Sequence, residues 1–417
     1  MKYIKPLIVM SILIVAGTMI IPSLRPKGGD LTIPESSKTA VKSLPYLSWQ
    51  PAEKAHIDKK GVTIYDQENS YKGLNLYNYD GHPEAYLIDM SGDVLHTWSC
   101  PKGKWHHVEL LENGDLLVIV RNKSLLKLDW ESNIKWTSDK KCHHDVSVAE
   151  NGDIYTIRWD ILDIPHGSAT IPIVNDYITI LSPEGALRRD ISIFELFGSE
   201  ITKEEREEIR LHLEKMKSEG EKVEVWPQTI FDVFHTNTVE IIESDLEGLA
   251  SKGDVLICIR NLNIIAIIDV SEEQVAWQLN RNDLEMPHQP SMAHGRILVF
   301  DNGNEREYSR VIELNPYTGE KVWEYTTSPK ESFFSAIRGG CQRLPNGNIL
   351  ITESDRARVF EVTPAGNIVW EFYGTEVSKL ARKRRAIYRM TRFAPNSFAS
   401  ELIGTKQAQT SVDSHPQ

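Results

Sequence analysis

The chain predicts an all-β fold assembled from repeated four-stranded sheets, and three observations predict it. One short pattern recurs: apolar residues, an Asn-Gly or Gly-Asp turn, an apolar strand, another apolar strand, a Gly or Asn, then a Trp. It runs over His106–Trp136, in a drifted form over His143–Asp190, then over His235–Trp277, His288–Trp323 and Gly339–Trp370. A partial copy ends at Trp98. Each full copy also divides into four strands, and histidines recur where the first strand begins. Self-similarity at this period ties most of the chain into one body, against the two or three domains its length of 417 residues would allow.

The fifth copy shows how a unit folds. Cys341 to Leu344 is a short first strand, and Pro345-Asn346-Gly347 turns, because Asn-Gly accepts positive φ. "NILITES" and "ARVFEVTP" are the next two strands, and "NIVWEFYG" is the fourth. Four antiparallel strands per repeat is one blade of a β-propeller. The late Trp is placed to pack between neighbouring blades. Counting the partial copy gives six blades. The first, from about Gly73 to Trp98, lacks an inner strand, which the C-terminal stretch can supply, closing the ring and removing exposed sheet edges.

Around this body the expected order is a membrane segment over 1–25, a linker over 26–60, the six-bladed propeller over 61–400 and a disordered tail over 401–417. Lys2 and Lys5 precede an uncharged run, Pro6 to Leu24, closed by Arg25. That run is long enough to cross a bilayer, and without an A-x-A site it reads as an uncleaved signal-anchor in preference to the alternative, a removed signal peptide. The anchor places the propeller outside the cytoplasm, on a membrane. The Pro-, Gly-, Ser- and Lys-rich linker reads as a tether. Thr202–Lys222 is predicted as a charged surface helix with apolar Ile209, Leu211 and Leu213. Arg158–Ala169 is predicted to loop between two strands and overhang the site.

A net charge of -12 argues against a nucleic-acid partner, and Arg382-Lys383-Arg384-Arg385 reads as a solvated surface run. The four cysteines, Cys100, Cys142, Cys258 and Cys341, form no CxxC pair, which excludes a disulfide scaffold and argues against a cysteine zinc site. Cys258 and Cys341 read as small core residues, and Cys142, beside His143-His144, as a candidate thiol.

In a propeller, residues that begin first strands and residues that end second strands meet at one mouth of the central channel. First-strand starts hold His106-His107, His143-His144, His235 and His288. Second-strand ends hold Arg121, Arg158, Arg260, Asp301-Asn302 and Glu353. One mouth should therefore gather several imidazoles and up to three guanidiniums. A guanidinium is a fork for an oxyanion, and a neutral imidazole serves as nucleophile, base or acid near neutral pH.

At these residues the chain resembles the PAPS-independent arylsulfate sulfotransferases, six-bladed propeller enzymes of bacterial periplasm and surface. The matching stretches are "CHHDVSVAENGDIY", "VFHTNTVEII", "GDVLICIRNLNIIAIID", "HQP" followed by "ILVFDNGNEREYSRVIEL", and "GCQRLPNGNILITES". They run over most of Gly61–Gly374. The resemblance implies a transient sulfohistidine on His288, the histidine before Phe-Asp-Asn-Gly. It implies catalytic roles for His235, Arg260 and His143, the last chosen over His144 because His143-x-Asp145 parallels His235-x-Asn237. Asn237, His144, Arg158 and Asn302 are the candidate substrate-binding residues. The order Pro287-His288-Gln289 departs from the family's Gln-His, and His294 is a second histidine nearby, placed by Gly295 in a turn. No cofactor and no metal are expected.

The implied reaction moves a sulfuryl group from an aryl sulfate to a phenol. The donor ring would lie against Trp105, Trp159 or Phe234, with its sulfonate on Arg260 and His235. His288 would attack sulfur, and a protonated His143 or His235 would supply the phenol's proton. Two other classes compete. A metal-dependent hydrolase would need acidic partners, which are sparse at the first-strand positions. A noncatalytic binding propeller would tolerate loss of the histidines.

Overall fold

The structure, a computed structural model, describes residues 47–52, 56–280 and 284–413. Among these the chain is all-β and propeller-like, with six antiparallel blades in sequence order, five of four strands and one of five. Blade 2 runs Trp105–Leu110, Leu116–Val120, Ser124–Leu128 and Ile134–Ser138. Blade 3 runs Cys142–Val148, Ile154–His166, Ala169–Leu181 and Leu187–Ser192. Blade 4 is Thr236–Ile241, Val255–Ile259, Ile264–Asp269 and Gln274–Asn280. Blade 5 is His288–Ala293, Arg296–Asp301, Arg310–Leu314 and Lys321–Tyr325. Blade 6 begins with Gly340–Arg343 and Ile349–Glu353, continues with Arg358–Val362 and Ile368–Tyr373, and takes Gly61–Tyr65 as a fifth, outermost strand.

Blade 1 is completed from the far end of the chain. Its strands Leu74–Tyr79, Glu84–Ile88 and Val94–Ser99 take Ile387–Phe393 as innermost strand, paired antiparallel from Ile387↔Tyr79 to Phe393↔Leu74. This is the closure expected from the missing first strand.

The apolar pattern explains why the blades stack. A blade strand is buried on both faces, so it reads as a continuous apolar run rather than an alternating one. In "VLICI", Val255, Ile257 and Ile259 face blade 3, while Leu256 faces blade 5. In the next strand Ile264, Ala266 and Ile268 face blade 3, and Ile265 and Ile267 face blade 5. Each of six apolar clusters joins two neighbouring blades, including one between blade 6 and blade 1. Each fully buried Val or Ile contributes about 1.5–3 kcal/mol through area removed from water.

The recurrent Trp locks these seams. Trp136, Trp277 and Trp323 each donate their indole N–H to a proline carbonyl in the third-to-fourth-strand turn of the next blade: Pro183, Pro316 and Pro364, at 3.0, 3.0 and 2.9 Å. Trp370 does the same to Met90 O of blade 1, at 2.9 Å. In blade 3's turn Gly185, at φ +81°, has no room for a side chain, because a Cβ would lie 2.7 Å from the Trp136 ring.

The described residues bear on several sequence expectations. The membrane segment lies outside the described residues, and among those described no helix is long and apolar enough to cross a membrane. Part of the expected linker is a strand: Trp49–Pro51 pairs with Lys383–Arg385, which pairs with Val377–Ser378. The basic run therefore includes a strand, and Arg384 is buried, donating to His56 O and Lys59 O. Arg158–Ala169 is not a loop. It belongs to a long hairpin paired from Ile154↔Leu181 to His166↔Ala169. The expected tail carries a helix, Phe398–Asp413, because Phe398, Ala399, Leu402 and Ile403 share one face and pack on the seam of blades 1 and 2. The charged insertion is a helix, Lys203–Ser218, started by a Thr202–Glu205 capping box; Ile209 and Leu213 are buried and Leu211 is exposed.

Candidate active site

Strand register brings the predicted residues to one end of the channel. First-strand starts pair with second-strand ends as Trp105↔Val120, Cys142↔Arg158, Thr236↔Ile259 and His288↔Phe300. Near its start the inner strand of each of blades 1 to 5 shifts register, between Ile387 and Met390, Trp105 and Val108, His143 and Val146, Thr236 and Thr238, and His288 and Ser291. Such a bulge turns side chains out of the pleat. The cost is backbone strain: His144, His235 and Gln289 sit at φ 60°, 51° and 43°, where residues other than glycine are uncommon.

The result is a compact imidazole cluster. The ring of His144 lies 4.7 Å from His106, 4.8 Å from His143 and 4.8 Å from His235, between centroids. All the first-strand histidines are buried: His106, His107, His143, His144, His235 and His288 are each at most 5% exposed, and Arg260 is 2% exposed. The Nδ1 atoms of His143 and His144 are hydrogen-bonded to each other at 2.5 Å.

His288 has the sharpest geometry. Its Nδ1 faces two acceptors, Asn302 Oδ1 at 2.7 Å and Met286 O at 3.1 Å. Asn302 cannot be turned around, because its amide Nδ2 donates to Ser335 O and Arg338 O at 2.6 and 2.9 Å. Nδ1 therefore carries the proton, and the lone pair lies on Nε2, which is buried with no hydrogen-bond partner. Burial, reinforced by the charge of Arg260, pushes the His288 imidazole down to about 3. It is neutral at physiological pH.

Neighbours pin His288 in place. Asn237 Nδ2 and Cys258 Sγ both reach Pro287 O, at 2.9 and 3.2 Å. Asn263 accepts from Met286 N at 2.8 Å. Asn302 and Asn237, expected to bind substrate, are engaged in holding the segment of His288.

His235 donates its Nδ1–H to Asp232 Oδ2 at 2.5 Å, and its carbonyl accepts from Arg260 N at 3.4 Å. Arg260 Nε donates to Asn261 Oδ1 at 3.0 Å. His143 Nε2 lies 3.2 Å from Asp176 Oδ1 but is not aligned as a hydrogen bond. Burial holds His106, His107 and His144 well below the usual histidine range, and it lowers His235 too, against the pull of Asp232.

Other expected residues lie elsewhere. Arg158 forms a two-pronged pair with Asp190 at 3.0 and 2.7 Å and lies over the Tyr177 ring, so it is committed within blade 3. Trp105, Trp159 and Phe234 are core residues of blade seams. His294 and Gly295 form the turn between His288–Ala293 and Arg296–Asp301, at the opposite end of the channel. Cys142 is a core residue whose thiol burial pushes up to about 12.

Sequence reasoning missed several participants. Tyr388, from the closing strand, lies 4.3 Å from the His106 ring, and its hydroxyl donates to His144 O at 3.0 Å. Arg338 is buried, ion-paired to Asp355 at 2.8 Å, and donates to Leu47 O at 2.9 Å. Through Leu47 and the Ser48–Asp80 bond of 2.9 Å, the small sheet of Trp49–Pro51 caps this end of the channel. The far end holds a cavity of about 760 Å³ lined by Glu109, Asp145, Glu240 and Arg389. Asp145 accepts from Arg389 at 2.8 Å, while burial pushes Glu109 and Glu240 up to about 8.

Among solved structures, the chain is similar to a protein of unknown function from Bacteroides caccae, at 11% identity and a TM-score of 0.49, over 77% of this chain and 99% of that one. It is similar to a streptogramin B lyase at 13% identity and a TM-score of 0.45, over 83% and 97%. A third is the Dos1 propeller, at 12% identity and a TM-score of 0.40, over 79% and 77%. No curated protein matches the sequence. The family model for arylsulfotransferase (ASST) matches residues 107–375, a span that contains His107, His143, His144, His235, Arg260, His288 and Asn302. The chain belongs to the arylsulfotransferase family.

Proposed function

We propose that this protein transfers a sulfuryl group from an aryl sulfate to a phenol through an N-sulfo intermediate on His288, within a six-bladed propeller anchored to a membrane by its N-terminal segment and facing away from the cytoplasm. The observation that carries the reading is the state of His288: neutral, its Nδ1–H fixed on Asn302, its Nε2 lone pair buried and without a partner. That is the form of imidazole that attacks an electrophile.

Attack forms the Nε2–S bond and breaks the bond from sulfur to the aryl oxygen. The sulfonylated ring becomes cationic, and Asn302 Oδ1 already accepts from its Nδ1–H. Arg260, whose charge His288 and His235 both feel, is the cation for the sulfonate oxygens. Transfer to a second phenol regenerates His288, so kinetics should be ping-pong. Because the cluster is buried, turnover requires the covering segments to part.

The test is incubation with 4-nitrophenyl or 4-methylumbelliferyl sulfate plus phenol. Acceptor-dependent release of the fluorescent or coloured phenol, and a mass increment of one sulfuryl group on the His288 peptide, are the expected results. Full transfer by His288→Ala would refute the assignment.

A further inference from the structure

Sulfuryl transfer needs a proton for the departing aryl oxygen, and an equivalent proton is released by the acceptor phenol. A cluster of buried imidazoles favours the neutral form everywhere, so one ring must be built to give a proton in the first half-reaction and take one up in the second.

The surroundings separate the rings. His144 and His106 face other imidazoles, and His106 also feels Arg121 and Arg338. His143 spends Nδ1 on His144, and Asp176 is misaligned with its Nε2. His107 lies 3.5 Å from Asp145, but that carboxylate is held by Arg389. His235 donates through an aligned hydrogen bond to a carboxylate, Asp232.

Asp232 is itself fixed. It is 4% exposed, and its Oδ2 also accepts from Gln228 N at 2.8 Å. Its backbone carbonyl accepts from Asn261 Nδ2 at 2.6 Å; Asn261 N donates to Phe234 O at 3.1 Å, and Asn261 Oδ1 accepts from Arg260 Nε. Carboxylate, imidazole and guanidinium therefore form one hydrogen-bonded unit.

We propose that Asp232 is the positioning residue that makes His235 the proton carrier of sulfuryl transfer. This rests on the function proposed above. With Nδ1–H held on Asp232, Nε2 is the nitrogen that gains and gives the proton. In the first half-reaction the His235 imidazolium gives its Nε2 proton to the aryl oxygen as the S–O bond breaks and the His288 Nε2–S bond forms. In the second, the acceptor phenol returns a proton to His235 Nε2 as its oxygen attacks sulfur. Charge and protons balance over the cycle.

The groups facing His235 set the timing. Burial and Arg260 disfavour its protonation, and Asp232 and Asp176 favour it; His144 and His288 are its imidazole neighbours. Burial alone would raise the Asp232 carboxyl, but His235 and Arg260 outweigh it and keep the group ionised. The bound sulfate anion adds the negative charge that brings the proton onto His235.

The experiment compares wild type and Asp232→Asn on two donors, phenyl sulfate with a basic leaving group and 4-nitrophenyl sulfate with a weakly basic one. Loss of a proton donor costs about 10²–10⁴-fold where the leaving group needs the proton. We expect kcat to fall at least 100-fold with phenyl sulfate and less than tenfold with 4-nitrophenyl sulfate, with KM little changed and the pH profile of kcat displaced. Equal losses on both donors overturn this role and leave the transfer reading standing. A wild-type chain inert to every aryl sulfate overturns both. Should Asp232→Asn fail to fold, nitrogen NMR of the histidine-labelled wild-type chain decides: a proton on His235 Nδ1 supports the assignment, and one on Nε2 alone overturns it.

Discussion

The burial of His288 has a measurable cost in acid. Its imidazole titrates near 3 in the folded chain, chiefly through burial, against about 6.5 for an unperturbed histidine. The unfolded chain therefore takes up a proton that the folded chain refuses. The His288 contribution is fully present above pH 6.5 and is lost progressively as pH falls toward 3. At 1.36 kcal/mol per pH unit, the loss between pH 7.5 and 5 is about 2 kcal/mol. Glu109 and Glu240 act with the opposite sign, since carboxyls raised to about 8 add stability as pH falls toward 4.5. They leave the comparison of wild type with His288→Asn untouched, because that substitution lies outside their cavity. Asn retains a donor for Asn302 without a titrating group. Urea unfolding at pH 7.5 and 5 should therefore show wild type losing about 2 kcal/mol more than His288→Asn. Parallel pH dependence in the two proteins would refute the claim that His288 is held neutral by burial, and with it the argument for its nucleophilic form.

Three further outcomes follow from the geometry. Asn302→Ala should cost about 2–4 kcal/mol, because it strips a donor from two buried carbonyls and an acceptor from His288, and should lower transfer more than tenfold; a urea midpoint and a sulfuryl-transfer assay check both. Arg158→Ala should leave transfer within about twofold of wild type and cost about 1–3 kcal/mol, since it breaks the pair with Asp190 and the contact with the Tyr177 ring, both within blade 3; a large loss of activity at unchanged stability would return Arg158 to the site. Ending the chain at Ala386 removes the inner strand of blade 1, and the product should lack a cooperative thermal transition by circular dichroism.

The parts legible in the sequence are those set by strand periodicity. A first strand pairs with its own second strand in every blade, so a histidine opening one and an arginine or asparagine closing the other must share an end of the channel. His288 with Asn302 and His235 with Arg260 obey this directly. The recurrent Trp was equally readable, because its place late in the fourth strand leaves only the neighbouring blade to pack against. Arg158 obeys the same pairing rule and still misses the site. Its fate is decided by Asp190, two strands farther out on the same sheet face, and an ion pair at that range has no periodic signal.

The carboxylates of the site escaped for a related reason. Asp176 sits on the third strand of blade 3, yet its side chain accepts from Thr236 N of blade 4 at 2.6 Å. Asp232 precedes its blade altogether, three residues before His235, where the chain has not yet entered a strand. A reading that treats each blade as a unit finds the imidazoles, which repeat, and loses the acids, which occur once and reach across a seam. The spacing Asp232-x-x-His235 was the one available cue. Repetition therefore marks where the chemistry can be placed, and the unrepeated acids divide the labour among otherwise similar imidazoles. On that logic the proton should follow Asp232, which marks His235 among the imidazoles, and the sulfuryl group should follow Asn302, which does the same for His288.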